Sequence, residues 1–154
     1  MLAAIMFCGA TMVSCNKEEN TIETTSASTD VNPADLIGSW IGEYNGSALY
    51  GGDQMNYKIT WTVNLSTVSA GTISANVNTP DYEPQNTAIN YIITGVRPRQ
   101  NTDYVILDVR RDGALFDDTF EMLYNKSART LKGNMTLLFQ ENLNIGGETT
   151  LNKQ

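Results

Sequence analysis

Tyr57-Lys58-Ile59-Thr60-Trp61-Thr62-Val63-Asn64-Leu65 places an apolar or aromatic residue at every second position, with Lys, Thr and Asn between them. A side-chain period of two belongs to an extended strand with one buried face, and no helical stripe gathers these five residues together. Working outward, the same alternation recurs over 37–50, 71–78, 87–97, 103–111, 114–124, 129–139 and 143–151, so the chain predicts eight strands. From Asp35 onward no stretch keeps apolar residues at helical spacing over three turns. The separating links are short: Gly51-Gly52, Ser69-Ala70-Gly71, Pro80 to Asn86, Pro98 to Asn101, Asp112-Gly113, Asn125 to Ala128 and Gln140 to Asn142. Links of this length join antiparallel neighbours. Consecutive antiparallel strands with one apolar face each bury it by closing on themselves, which also removes exposed edges. The expected fold is all-β, an eight-stranded antiparallel up-and-down barrel over residues 35–154.

Hairpin geometry gives a register. A two-residue turn at Gly51-Gly52 sets Trp40 against Val63 and Gly42 against Trp61, a glycine facing the largest side chain. A two-residue turn at Asp112-Gly113 sets Val109 against Phe116, Leu107 against Asp118 and Val105 against Phe120. The turn after Tyr124 sets Met122 against Leu131 and Phe120 against Gly133. All three hairpins place their apolar residues on one inner face. The first, third, fifth and seventh links lie at one end of such a barrel, and that end is the expected mouth.

Ahead of the barrel, Leu2 to Val13 is apolar and ends in Val13-Ser14-Cys15, followed by Asn16-Lys17-Glu18-Glu19. About a dozen apolar residues are too few to cross a bilayer as a helix, where about twenty are needed. The segment resembles a bacterial lipoprotein signal peptide cleaved before Cys15. No Lys or Arg precedes the run, and we read the start as misplaced or truncated. Residues 1–14 are then the signal peptide, and residues 15–34 a lipidated Cys15 with a Thr/Ser/Glu-rich tether. Acyl chains on Cys15 would anchor the domain to the bacterial outer membrane, on its periplasmic face or at the cell surface.

Composition removes several function classes. The chain has no His and two Cys, of which Cys8 lies in the segment expected to be discarded, so His/Cys zinc sites and His-assisted nucleophiles have no ligands or bases. No cofactor or metal is expected. The formal charge of −7 and the lack of a long Lys/Arg run argue against nucleic acid as a partner. A non-catalytic protein is expected.

Leu36-Ile37-Gly38-Ser39-Trp40 carries a Gly-x-Trp at the head of the first strand, after a tether and a lipidated cysteine. In that position it resembles the lipocalin-like domains of bacterial lipoproteins. The resemblance implies a calyx that holds a small hydrophobic or amphipathic ligand, with Trp40 plugging the closed end. Lipocalins set an Arg from the last strand against that tryptophan, but residues 143–154 contain no Arg. Arg129, at the head of the seventh strand, is the expected substitute, through a cation–π contact.

Inside the barrel, Tyr44, Tyr57, Trp61 and Tyr91 are expected to form aromatic walls or simply to fill the lumen. Asp118 is expected inward between Leu107 and Met135, where a bare carboxylate needs a cation, a raised pKa or a ligand donor. Arg111 has the same parity and can clamp either Asp118 or an acidic ligand group. The competing reading is a bulge at Asp117-Asp118 that turns both carboxylates to water. Tyr82, in the link after the third strand, is a candidate lid. The alternative to a ligand carrier is a solid barrel acting as an accessory protein that contacts another envelope protein or a glycan.

Overall fold

The computed structural model describes residues 30–81, 85–115, 117–140 and 143–154. One helical turn, α1 (Pro33–Leu36), precedes eight strands: β1 (Gly38–Tyr50), β2 (Asp53–Leu65), β3 (Gly71–Thr79), β4 (Gln85–Pro98), β5 (Tyr104–Arg111), β6 (Asp118–Asn125), β7 (Thr130–Phe139) and β8 (Leu143–Lys153). Each strand pairs antiparallel with the next, and β8 returns to β1 to close the barrel. The alternating residues read from the sequence line the interior: Ile59, Trp61 and Val63 of β2, Ile73, Ala75 and Val77 of β3, and Val105, Leu107 and Val109 of β5 are fully buried.

The first hairpin has the expected register, with Trp40 opposite Val63 and Gly42 opposite Trp61. Gly51 and Gly52 both take positive φ, 62° and 96°, which is what a tight two-residue hairpin turn demands. Gly42 serves a second contact besides the expected one with Trp61. A Cβ there would overlap the Thr150 carbonyl oxygen and come within 2.8 Å of Leu151 Cδ2, so this glycine closes the seam between β1 and β8.

The other two registers are displaced by two residues. Val109 faces Asp118 and Leu107 faces Phe120. Met122 faces Gly133 and Tyr124 faces Leu131. After the Arg111–Ala114 turn the chain runs on through Leu115 before it rejoins β5, and Arg110 and Asp117 are tied across the link by an ion pair of 2.7 Å. Between β6 and β7 the four-residue turn is 126–129, one residue later than the expected Asn125 to Ala128. Asn125 Oδ1 accepts from the Ala128 backbone N–H at 2.9 Å, and Arg129 supplies the left-handed residue at φ 54°. A two-residue displacement preserves parity, so the inner face is unchanged.

The closed end is built by α1. Asn32 caps the helix with its side chain, Pro33 occupies its first turn, and Leu36 is fully buried. Val31 is buried too, so the folded part reaches back into the region read as tether. Trp40 Nε1 donates to the Leu36 carbonyl at 2.7 Å, and the Trp40 ring meets Tyr124 edge-on at 6.1 Å. Arg129 does not supply the expected cation: it is exposed in the turn. Lys153 of the last strand does, with Nζ 5.2 Å from the Trp40 ring centroid and 2.6 Å from the Asp35 carbonyl it donates to.

Candidate ligand site at the barrel mouth

The end opposite Trp40 carries the first, third, fifth and seventh links. There a hollow of about 350 Å³ opens between the ends of β4, β5 and β7, lined by Thr87, Ile89, Arg111, Asp112, Phe139 and Gln140 with parts of Ala88 and Asn90. Thr87, Ile89 and Phe139 were not singled out from the sequence. Their signal is inward parity at strand ends on the mouth side, which becomes selective only once the barrel and its open end are known.

Three aromatic rings pack in the barrel interior, and none of them lines the hollow. Trp61 is flanked on its two neighbouring strands by Gly42 and Ala75, so its ring has room to reach into the lumen. It meets Phe120 edge-on at 5.9 Å, and Phe120 meets Tyr91 edge-on at 6.0 Å. All three rings belong to the same buried core as Val63, Ile73, Ile93, Met122 and Leu131. Trp61 Nε1 is buried and has no acceptor among the described residues. On the other side of the mouth, Tyr44 lies 6.2 Å from Tyr57. Gly46 and Gly147 make room for these rings, since a Cβ on Gly46 would stand 2.6 Å from Tyr57 Oη and one on Gly147 would overlap the Tyr44 ring. The Tyr57 hydroxyl accepts from the Gly146 N–H at 3.3 Å.

Arg111 lies directly opposite Tyr91 in the β4–β5 ladder, half-buried. Its Nη1 donates to the Leu138 carbonyl at 2.8 Å. That carbonyl needs a donor because the β6–β7 ladder stops at Met122 and Gly133, leaving the upper part of β7 without β6 as a partner. Arg97, Arg99 and Arg110 each hold a carboxylate, from Asp108, Glu121 and Asp117. Among the described residues Arg111 has none, and four of its five N–H donors remain.

Asp118 is not between Leu107 and Met135. The longer link moves it two residues up, to the first position of β6, where it is exposed at the rim with inward parity. Its Oδ1 accepts from the Thr119 N–H at 2.8 Å, and it forms no ion pair with Arg111. Asp117 also faces water, held by Arg110; the exposure of both carboxylates comes from the end of the strand, not from a bulge. Burial pushes the Tyr91 hydroxyl above the usual tyrosine range, with Arg111 opposing that shift and Asp118 adding to it, so both charges lie close to this ring.

Of the residues singled out from the sequence, the fold therefore places Arg111 and Asp118 at the rim, of which Arg111 lines the hollow, with the buried Tyr91 ring close to both charges and Trp61 packed in the core against Phe120, while Tyr44 belongs to a separate cluster with Tyr57. Tyr82 and Cys15 lie outside the described residues. Among the described residues no group of three or more His, Cys, Asp or Glu side chains converges to hold a metal ion.

Fold and site together define a closed eight-stranded up-and-down β-barrel with a shallow hollow at one end and a tryptophan-plugged base at the other. Comparison of the chain with protein-family models, with curated proteins and with solved structures finds no match.

Proposed function

We propose that this protein is a lipocalin-like lipoprotein, anchored through acylated Cys15 to the outer membrane, that binds a small hydrophobic or amphipathic ligand in the mouth of its barrel without catalysis. The observation that carries the reading is Arg111. A half-buried guanidinium that faces the hollow, has donors to spare and has no carboxylate partner among the described residues is suited to grip an acidic group. Ile89 and Phe139 supply apolar wall for the remainder of the ligand. The Gly-x-Trp motif, the cation over Trp40 and the up-and-down topology all support kinship in architecture with lipocalins.

The test is titration of the full-length chain with straight-chain alkanoates from hexanoate to decanoate, read by tryptophan fluorescence, since Trp61 is linked through Phe120 to Tyr91, the residue directly opposite Arg111. Saturable binding that weakens at least tenfold in Arg111→Gln supports the reading. Unchanged fluorescence and melting temperature across the series overturn it. The anchor is tested separately: Cys15→Ala is expected to move the protein from the membrane fraction to the soluble one.

A second reading rests on the rim. Leu115 is 91% exposed, and Leu49 and Leu138 also present apolar surface at the mouth end. Apolar rim residues above a packed lumen suit contact with another envelope protein, in which case the alkanoates leave the protein unaffected.

A further inference from the structure

Three cross-strand charge pairs on the outer wall share one geometry. Glu43 and Lys58, Arg97 and Asp108, and Lys132 and Glu148 are each displaced by two residues from direct opposition in their ladders. Each pair nevertheless closes, to 2.8, 2.6 and 2.8 Å. Neighbours on such a diagonal stand roughly 7–8 Å apart at the backbone, a gap that long side chains bridge readily.

Arg111 and Asp118 form the same diagonal on the inner face, because Val109 is the residue directly opposite Asp118. Here the charges do not meet. Arg111 is held by the Leu138 carbonyl, and Asp118 turns back onto the Thr119 N–H. The mouth therefore presents a cation and an anion on neighbouring strands, both on the lumen side and neither neutralised by the other. Apolar Ile89 and Phe139 lie in the same hollow as Arg111, and Phe120 lies one inward position below Asp118. A ligand bearing only a carboxylate satisfies Arg111 and leaves Asp118 facing a like charge.

Resting on the reading of the mouth as a ligand site, we infer that its ligand is a small zwitterion with an apolar side chain, its carboxylate held by Arg111 and its ammonium group by Asp118. An amino acid with a hydrocarbon side chain has this chemistry. The two charges of such a molecule are adjacent, so Asp118 turns inward from the Thr119 N–H by a rotamer change and Arg111 offers its remaining donors. Arg111 retains donors for Leu138 while it does so.

The test uses one carbon skeleton in three charge states, hexanoate, hexylamine and norleucine, titrated into the full-length chain and followed by tryptophan fluorescence. Norleucine is expected to bind at least tenfold more tightly than hexanoate, with hexylamine weakest. Asp118→Asn is expected to bring the norleucine-to-hexanoate ratio close to one, and Asp118→Glu to restore most of the preference. Hexanoate binding as tightly as norleucine, or a ratio indifferent to Asp118→Asn, overturns the zwitterion inference and leaves Arg111 as an acid-binding residue. If norleucine and hexanoate through decanoate all fail to bind, the mouth is not a site for such ligands and both readings fall together.

Discussion

Lys153 Nζ sits over the Trp40 ring, 5.2 Å from its centroid, while donating to the Asp35 carbonyl at 2.6 Å. The last strand is thereby fastened at once to the first strand and to α1. A cation–π contact contributes about 0.5–1 kcal/mol at an exposed site and about 2 kcal/mol when desolvated, and a charged hydrogen bond about 1.5–3 kcal/mol.

Lys153→Met keeps the apolar stem of the side chain and removes both interactions, so it is expected to cost about 2 kcal/mol in urea denaturation. Lys153→Arg retains the charge and is expected to recover most of that loss. Arg129→Ala, at an exposed turn, is expected to change stability by less than about 0.5 kcal/mol. A larger loss at Arg129 than at Lys153 would show that the closed end is fastened differently.

Gly42 and Gly147 are both crowded, but by different kinds of atom. A Cβ at Gly42 overlaps the Thr150 carbonyl, which is backbone of the neighbouring strand and has nowhere to go. Gly42→Ala is therefore expected to cost about 3 kcal/mol by overpacking the seam, with no rescue from trimming Leu151. A Cβ at Gly147 meets the Tyr44 ring instead. In a Tyr44→Ala background Gly147→Ala is expected to cost less than about 1 kcal/mol, so the pair should show a coupling of 1 kcal/mol or more. Thermal and urea melts of the two single and one double variant decide it.

The contrast between what the residues foretold and what they did not has a physical origin. Period-two alternation declares which side chains face inward, and any displacement by an even number of residues leaves that set intact. This is why the eight strands and the inner face were legible while two of three registers were not. Gly51-Gly52 can serve as a two-residue turn without help from distant groups. The β5–β6 link depends on an ion pair between Arg110 and Asp117, and the β6–β7 turn on the side chain of Asn125, and neither partnership is visible before the strands are paired. The same displacement carried Asp118 from the middle of the barrel to its rim. Lys153 ends the last strand with the cation, but as a lysine it differs from the arginine that the lipocalin resemblance implies, so residue type alone does not mark it.

Acid should weaken the outer wall. Hydrogen bonds from Arg97 hold the Asp108 carboxyl below the usual carboxylate range, and those from Arg110 do the same for Asp117. For groups whose folded pKa lies below the unfolded one, the stabilisation is complete above the unfolded value and is lost as pH falls through the folded value. The melting temperature is expected to be flat through neutral pH and to decline below about pH 4. An Arg97→Gln/Arg110→Gln variant, which removes both partners, is expected to show a lower plateau and a shallower acid decline. An identical decline in the variant would assign acid sensitivity to other carboxylates.

Tyr91 offers a reading of the mouth that needs no ligand. Its hydroxyl titrates above the ordinary tyrosine range, first because the ring is buried, then with Arg111 pulling the value down and Asp118 pushing it up. A phenolate is stabilised by a nearby guanidinium and opposed by a nearby carboxylate. Arg111→Gln is therefore expected to raise the Tyr91 pKa further, and Asp118→Asn to lower it toward the ordinary value. NMR of ring-labelled tyrosine over a pH series separates this residue from the other six. Opposite displacements in the two variants establish that both charges face the same ring inside the mouth, and a Tyr91 resonance indifferent to both substitutions would place Arg111 and Asp118 outside the lumen.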